Sequence, residues 1–182
     1  RLFAAHHFAM GRVENLPDDR QIKVVGSFGS LRDLQKTTTA AVRAACDLAE
    51  IRLDLLGSEN ENAVGMAWNH LAEIPLLFTA RRIEEGGALP LMPESRIRLL
   101  RSVLDQAAWI DVEVASIEEM DELLVELAER QIPWIASFHD FNRLPSTADL
   151  EKAAKRFAAL ARVEERHANH YQQALDALSA KS

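Results

Sequence analysis

WIDVEVASIEEMDELLVELAERQIPWIASF, residues 109–138, reads as one strand–helix–strand unit. Trp109–Val114 is a short apolar run with Asp111 and Glu113 at alternate positions, which a strand places on one side. Ser116 followed by Glu119 makes a capping box, predicting that a helix begins there. Pro133 then opens a second apolar run, Trp134–Phe138. Two short apolar strands joined by one amphipathic helix are the signature of a parallel βαβ unit.

The same grammar extends towards the N-terminus. Lys23–Phe28, Leu48–Leu53 and Leu76–Ala80 read as three earlier strands, the last opened by Pro75. A helix is predicted after the first, with Ser30 as N-cap and Leu31, Leu34, Thr38, Val42 and Ala45 on one face. Further helices are expected within Glu61–Ile74 and over Pro93–Ala107. A last, Ala-, Leu- and Lys-rich helix starts near Ser146 and Thr147 and runs towards Ser179 with a break. The reading is an α/β chain of (βα)8 TIM-barrel type in which five βα units are legible, followed by a helical C-terminus. Residues 1–20 are less patterned and are expected to form an N-terminal arm, with 21–182 a single barrel-type domain, whole or partial. A full barrel typically needs about 250 residues, against 182 here.

Composition narrows the function. The net charge of -7 argues against a nucleic-acid backbone as partner, although a few pocket arginines could still hold a small anionic substrate. The lone cysteine, Cys46, allows no intrachain disulfide, so a cytoplasmic setting is expected, with Cys46 as a buried structural residue. No apolar run approaches the about 20 residues of a membrane span. No cofactor, metal or membrane partner is expected, and a homodimer is the expected assembly. Several signals read as bland structure: Glu164-x-x-His167 with His170, the adjacent His6 and His7, and Gly26 and Gly29, which lack the spacing of a phosphate loop.

Chemistry in parallel α/β folds gathers at the C-terminal strand ends. There the chain places Glu50, Arg52 and Asp54, then Arg81 and Arg82 with the loop Glu84-Glu85-Gly86-Gly87, then Asp111 and Glu113, and finally Ser137-Phe138-His139-Asp140-Phe141. Glu50, Arg52 and Asp111 could equally form a structural ion-pair layer inside the barrel. His139, at a strand end before a loop, is the candidate acid–base residue.

Taken together, EIRLD (50–54), FTAR…EGG (78–87), IDVEV (110–114) and SFHDF (137–141) resemble the type I 3-dehydroquinate dehydratases in order and spacing. The resemblance implies a (βα)8 barrel that dehydrates 3-dehydroquinate to 3-dehydroshikimate through a lysine Schiff base. It places His139 as the general base turned general acid and Glu50 as the carboxylate that orients it. Arg52, Arg81 and Asp111 would hold the substrate's polar groups, Phe141 would wall the pocket, and Asp54 would steady the arginines. In that family the lysine sits on a sixth strand in a D-I-x-K-I-A-like segment. After Leu160 this chain reads ARVEERHANHYQQALDALSAKS, which has neither such a strand nor such a lysine, and Lys152 and Lys155 read as a solvated helix face. The alternative expectation is an inactive homologue that binds a related polyhydroxy carboxylate or serves as an assembly partner.

Overall fold

The structure is a computed structural model that describes residues 8–10, 23–57, 67–141 and 146–148, with Glu151 and Lys155. Six strands form one sheet: β1 (Phe8–Met10), β2 (Val25–Phe28), β3 (Leu48–Arg52), β4 (Leu76–Thr79), β5 (Trp109–Glu113) and β6 (Trp134–Ser137). Their spatial order is β1-β6-β5-β4-β3-β2. The five strands from β2 to β6 are mutually parallel, and β1 alone runs antiparallel, Ala9 opposite Ile135. Each parallel strand therefore lies beside its predecessor in the chain. A doubly wound sheet reverses its strand order at a switch point; this one does not, and that steady progression is the way a barrel is wound.

Alternation along the strands sorts the sheet into two faces. Ala49, Ile51, Leu76, Phe78, Ile110, Val112, Trp134 and Ala136 belong to a single apolar core that also takes in Leu34, Val42, Trp68, Leu71, Ile97, Leu100, Met120, Leu123 and Leu127 from the helical layer. The intervening residues Glu50, Arg52, Thr79, Asp111, Glu113 and Ser137 share the opposite face. Register aligns them: Arg52 lies opposite Thr79, Thr79 opposite Asp111, and Glu113 opposite Ser137. Strands β4 and β6 are buried along their whole length, as parallel strands covered on both faces are.

The helices depart from the sequence reading in several places, and the one expected over Pro93–Ala107 already ends at Arg101. The stretch after Ser30 is two helices, α1 (Leu31–Lys36) and α2 (Thr39–Ala45). The Thr38 hydroxyl accepts from the Ala41 N–H and so starts the second helix, which is what a threonine side chain does better at an N-cap than mid-helix. The strand expected over Leu48–Leu53 ends at Arg52, and Asp54 lies in a short helix, α3 (Leu53–Leu56). Ser116 caps nothing. After α4 (Pro93–Arg101), the turns Val114–Ser116 and Glu118–Met120 lead into α5 (Asp121–Glu129), whose N-cap position is Met120. The Ser116 hydroxyl instead accepts from the buried Arg96 guanidinium at 2.8 Å.

Smaller differences follow the same logic. The last strand stops at Ser137, leaving Phe138 exposed. Cys46 is half-buried at the end of α2 and packs against the core. Within 1–22 only Phe8–Met10 is described, and within Glu61–Ile74 a single turn, Asn69–Leu71. The Glu164/His167/His170 group, the His6-His7 pair and Lys152 lie outside the described residues. Among the described residues no helix is long and apolar enough to cross a membrane.

Candidate active site

Arg81 follows β4 by two residues, and its side chain stays on the polar face of the sheet, 5% exposed. Its Nη1 donates to Asp111 Oδ1 and to Ser137 Oγ, each at 2.9 Å, and lies 3.4 Å from Glu113 Oε1. Its Nη2 lies 3.6 Å from Glu50 Oε1, which also accepts from the Thr79 hydroxyl at 2.7 Å. One guanidinium thus faces three carboxylates carried by β3 and β5. Asp111 shows the cost. Burial pushes its pKa up to about 6, with the charges of Glu113 and Glu50 adding to the effect, while Arg81 and the Ser137 hydroxyl pull it back.

His139, just beyond β6, meets the same guanidinium: Arg81 Nη1 stands 3.0 Å from its Nδ1. Glu85 approaches the same nitrogen at 3.3 Å and accepts the His139 backbone N–H at 2.8 Å. These two partners ask opposite things of the ring. A guanidinium can only donate, so an Arg81–Nδ1 bond requires a lone pair on Nδ1 and puts the proton on Nε2. A bond to the Glu85 carboxylate requires a proton on Nδ1 and leaves Nε2 as a base. The tighter of the two contacts is the one to Arg81. Phe141 stacks on the imidazole, ring centroids 5.9 Å apart and planes 9° from parallel, while itself 66% exposed.

A second bracket holds the loop that delivers Glu85. Asp54 is fully buried and takes a bidentate pair from Arg52, Nε to Oδ1 at 2.9 Å and Nη2 to Oδ2 at 2.8 Å. The same carboxylate accepts the backbone N–H groups of Arg81 and Ala88, each at 3.2 Å, gripping both ends of the loop. Arg52 Nη2 also donates to the Gly86 carbonyl at 3.1 Å. Burial opposes the Arg52 charge, but Asp54, Glu50 and Asp111 together outweigh it and raise its pKa. At the outer rim Arg82 pairs with the exposed Glu84 at 2.9 Å; that hydrogen bond lowers the Glu84 pKa and raises that of Arg82. Among the described residues there is no group of three or more His, Cys, Asp or Glu side chains that could hold a metal ion.

Residues 24–163 match the family model described as type I 3-dehydroquinase. The chain belongs to that family. The 3-dehydroquinate dehydratase of Methanocella arvoryzae is 29% identical over 128 residues, covering 70% of this chain and 56% of that relative. The Shouchella clausii enzyme of the same name is 33% identical over 132 residues, covering 68% and 48%. The solved 3-dehydroquinate dehydratase of Enterococcus faecalis superposes with a TM-score of 0.53 at 28% identity, over 68% of this chain and 56% of that one. The chain spans about half the length of the curated relatives it matches. The fold is accordingly α/β of TIM-barrel type, with five parallel strands described.

The seven residues given site roles in the sequence lie within or just beyond β3–β6. Arg81 joins Glu50, Asp111 and His139; Arg52 and Asp54 form their own pair beside it; Phe141 covers the histidine. Glu50 is not among the groups in contact with His139, since Arg81 stands between them. The carboxylate that does reach the imidazole is Glu85, which the sequence offers only as part of a strand-end loop. The acidic pair Glu84-Glu85 was visible, but only the folded loop turns Glu85 inwards (6% exposed) and leaves Glu84 outside. Ser137 was named at its strand end without a partner, and Thr79 had no role assigned; the fold gives them Arg81 and Glu50.

Proposed function

We propose that this chain binds 3-dehydroquinate at the polar ends of β3–β6 and carries the acid–base part of its dehydration, with His139 as the proton-transfer residue. The observation that carries the reading is the convergence of Arg81 with Asp111, Glu50 and His139 at strand ends whose order matches the family. Losing water from a β-hydroxy ketone needs a base for the acidic α-proton and an acid for the departing hydroxyl, and one positioned imidazole can serve in turn as both. Arg81 and Glu85 engage Nδ1, which leaves Nε2 as the nitrogen that exchanges protons with the substrate. When a substrate oxygen draws the Arg81 guanidinium away, the ring loses its Nε2 proton to solvent and takes one up on Nδ1, which then donates to Glu85, and Nε2 is left as the base. Asp111 and Glu50 keep Arg81 in place, Arg52 at the mouth offers a cation to the substrate carboxylate, and Phe141 screens the ring from water. Whether Glu50 adds to orienting the histidine is read from Glu50→Gln, which lowers kcat if it does. A cytoplasmic homodimer belongs to the same reading; light scattering that finds only monomer removes the assembly part.

The imine step of the family needs a lysine. Among the described residues the lysines are Lys23, Lys36 and Lys155, all exposed. A second reading is an inactive homologue that binds a polyhydroxy carboxylate or supports an assembly. Intact-mass analysis after borohydride reduction with 3-dehydroquinate separates them, because reduction leaves a covalent adduct only where an imine has formed. An adduct together with turnover supports the dehydratase. Calorimetric binding without adduct or turnover supports the inactive homologue. A protein that neither binds nor traps 3-dehydroquinate overturns the proposal.

A further inference from the structure

Arg96 is an anomaly on its helix. Its neighbours on α4 follow the ordinary division, Ile97 and Leu100 in the core and Arg98 and Arg101 at the surface, yet Arg96 is 2% exposed. A buried guanidinium is costly unless its N–H groups find acceptors, and an apolar side chain of similar size would fill the space more cheaply. All three of its nitrogens are engaged. Nε donates to the Ala80 carbonyl at 2.7 Å, Nη1 to the Ser116 hydroxyl at 2.8 Å, and Nη2 to Glu113 Oε2. The other oxygen of Glu113 accepts the Arg82 N–H at 3.1 Å and lies 3.4 Å from Arg81 Nη1. The backbone on both sides of Arg81 is therefore tied to Arg96, at Ala80 directly and at Arg82 through Glu113.

We propose that Arg96 is a positioning residue for the acid–base histidine: by holding the Ala80 carbonyl and Glu113 it aims Arg81 at His139 Nδ1, and so sets which imidazole nitrogen carries the proton. Arginine suits the task because its rigid fork reaches three acceptors in fixed directions, whereas a lysine presents one point charge. The structural chain runs from α4 through Arg96 and Glu113 to Arg81, and from there to the ring. Its meaning for catalysis rests on His139 being the proton-transfer residue. The tautomer itself can be measured without substrate.

The test is nitrogen NMR of ring-labelled histidine in the ligand-free protein, with His139 assigned by its loss in His139→Gln. Arg96→Met frees Arg81, so the His139 ring moves towards the form protonated on Nδ1: the Nδ1 resonance shifts in the protonated direction and Nε2 in the opposite one. Leu100→Ala, one turn along the same helix and equally buried, destabilises the packing without touching the network and leaves both resonances in place. If Arg96→Met does not fold, the milder Arg96→Lys shifts them the same way. An unchanged His139 spectrum in the Arg96 variants overturns the inference, as does an equal shift in Leu100→Ala. Because no turnover is involved, these outcomes are independent of whether the protein dehydrates 3-dehydroquinate.

Discussion

Asp111 lies in the middle of the site, buried at 3% exposure between two other carboxylates and sharing one arginine with them. Burial raises its folded-state pKa to about 6 from an ordinary 3.8. Over that interval the folded protein holds a proton that the unfolded chain has released. The contribution of Asp111 to stability is thus fully present below about 3.8 and is lost as pH rises through about 6. Asp111→Asn removes this dependence. Thermal melts of both proteins across that range should show the wild type losing ground to the variant as pH rises; parallel melting curves at every pH would contradict the assignment. Residue types at the strand ends were plain in the sequence, Arg81 and His139 included. Their pairing was not, because Glu85 and Glu50 are both plausible partners for His139 until the loop is folded.

The loop from Arg81 to Ala88 is the element on which the site depends, and its glycines explain how it turns. Gly86 has φ of +88°, a left-handed conformation that costs other residues about 1 kcal/mol or more. A Cβ on Gly86 would also press into the Phe141 ring, at 2.6 Å from its edge. A Cβ on Gly87 would collide with the backbone of Arg81 and Arg82. Since backbone cannot step aside as a side-chain tip can, Gly87→Ala should cost about 1–3 kcal/mol in urea unfolding and withdraw Glu85 from His139. A variant with wild-type stability and an unmoved His139 amide resonance would show that the loop adapts. Helices were legible from their periodicity, but their ends were misjudged wherever a side chain had a competing use. Thr38 became a cap rather than a helical residue, and Ser116 went to Arg96 rather than to its own helix.

The whole sheet is wound in one direction, with β4 and β5 at its centre and β1 and β2 at its ends. Central strands are bonded on both sides and buried; β2 is bonded on one side among the described residues, and its side chains are exposed or half-buried. Local opening is easiest where few apolar contacts must be broken. Amide hydrogen exchange should therefore be slowest in β4 and β5 and fastest in β1 and β2. Equal protection of β2 and β4 would mean that the outer edge of β2 is covered in solution. The antiparallel seat of Phe8–Met10 against β6 was not foreseen: three residues carry no pattern of their own, and a partner more than a hundred positions away supplies the pairing.

Short apolar runs spaced by amphipathic stretches were enough to announce parallel βα units, and four strand-end motifs were enough to announce the family, since both signals depend on local periodicity and residue type. Long-range pairing was a matter for the folded chain. Burial strips water from Arg81, Arg96, Asp111 and Glu113, and once dry these charges must find one another over sequence separations such as 30 residues for Arg81 and Asp111 and 17 for Arg96 and Glu113. No pattern along the chain encodes which of them meet, because that choice is made by the register of β3 to β6 and by the turn of a single glycine-bearing loop.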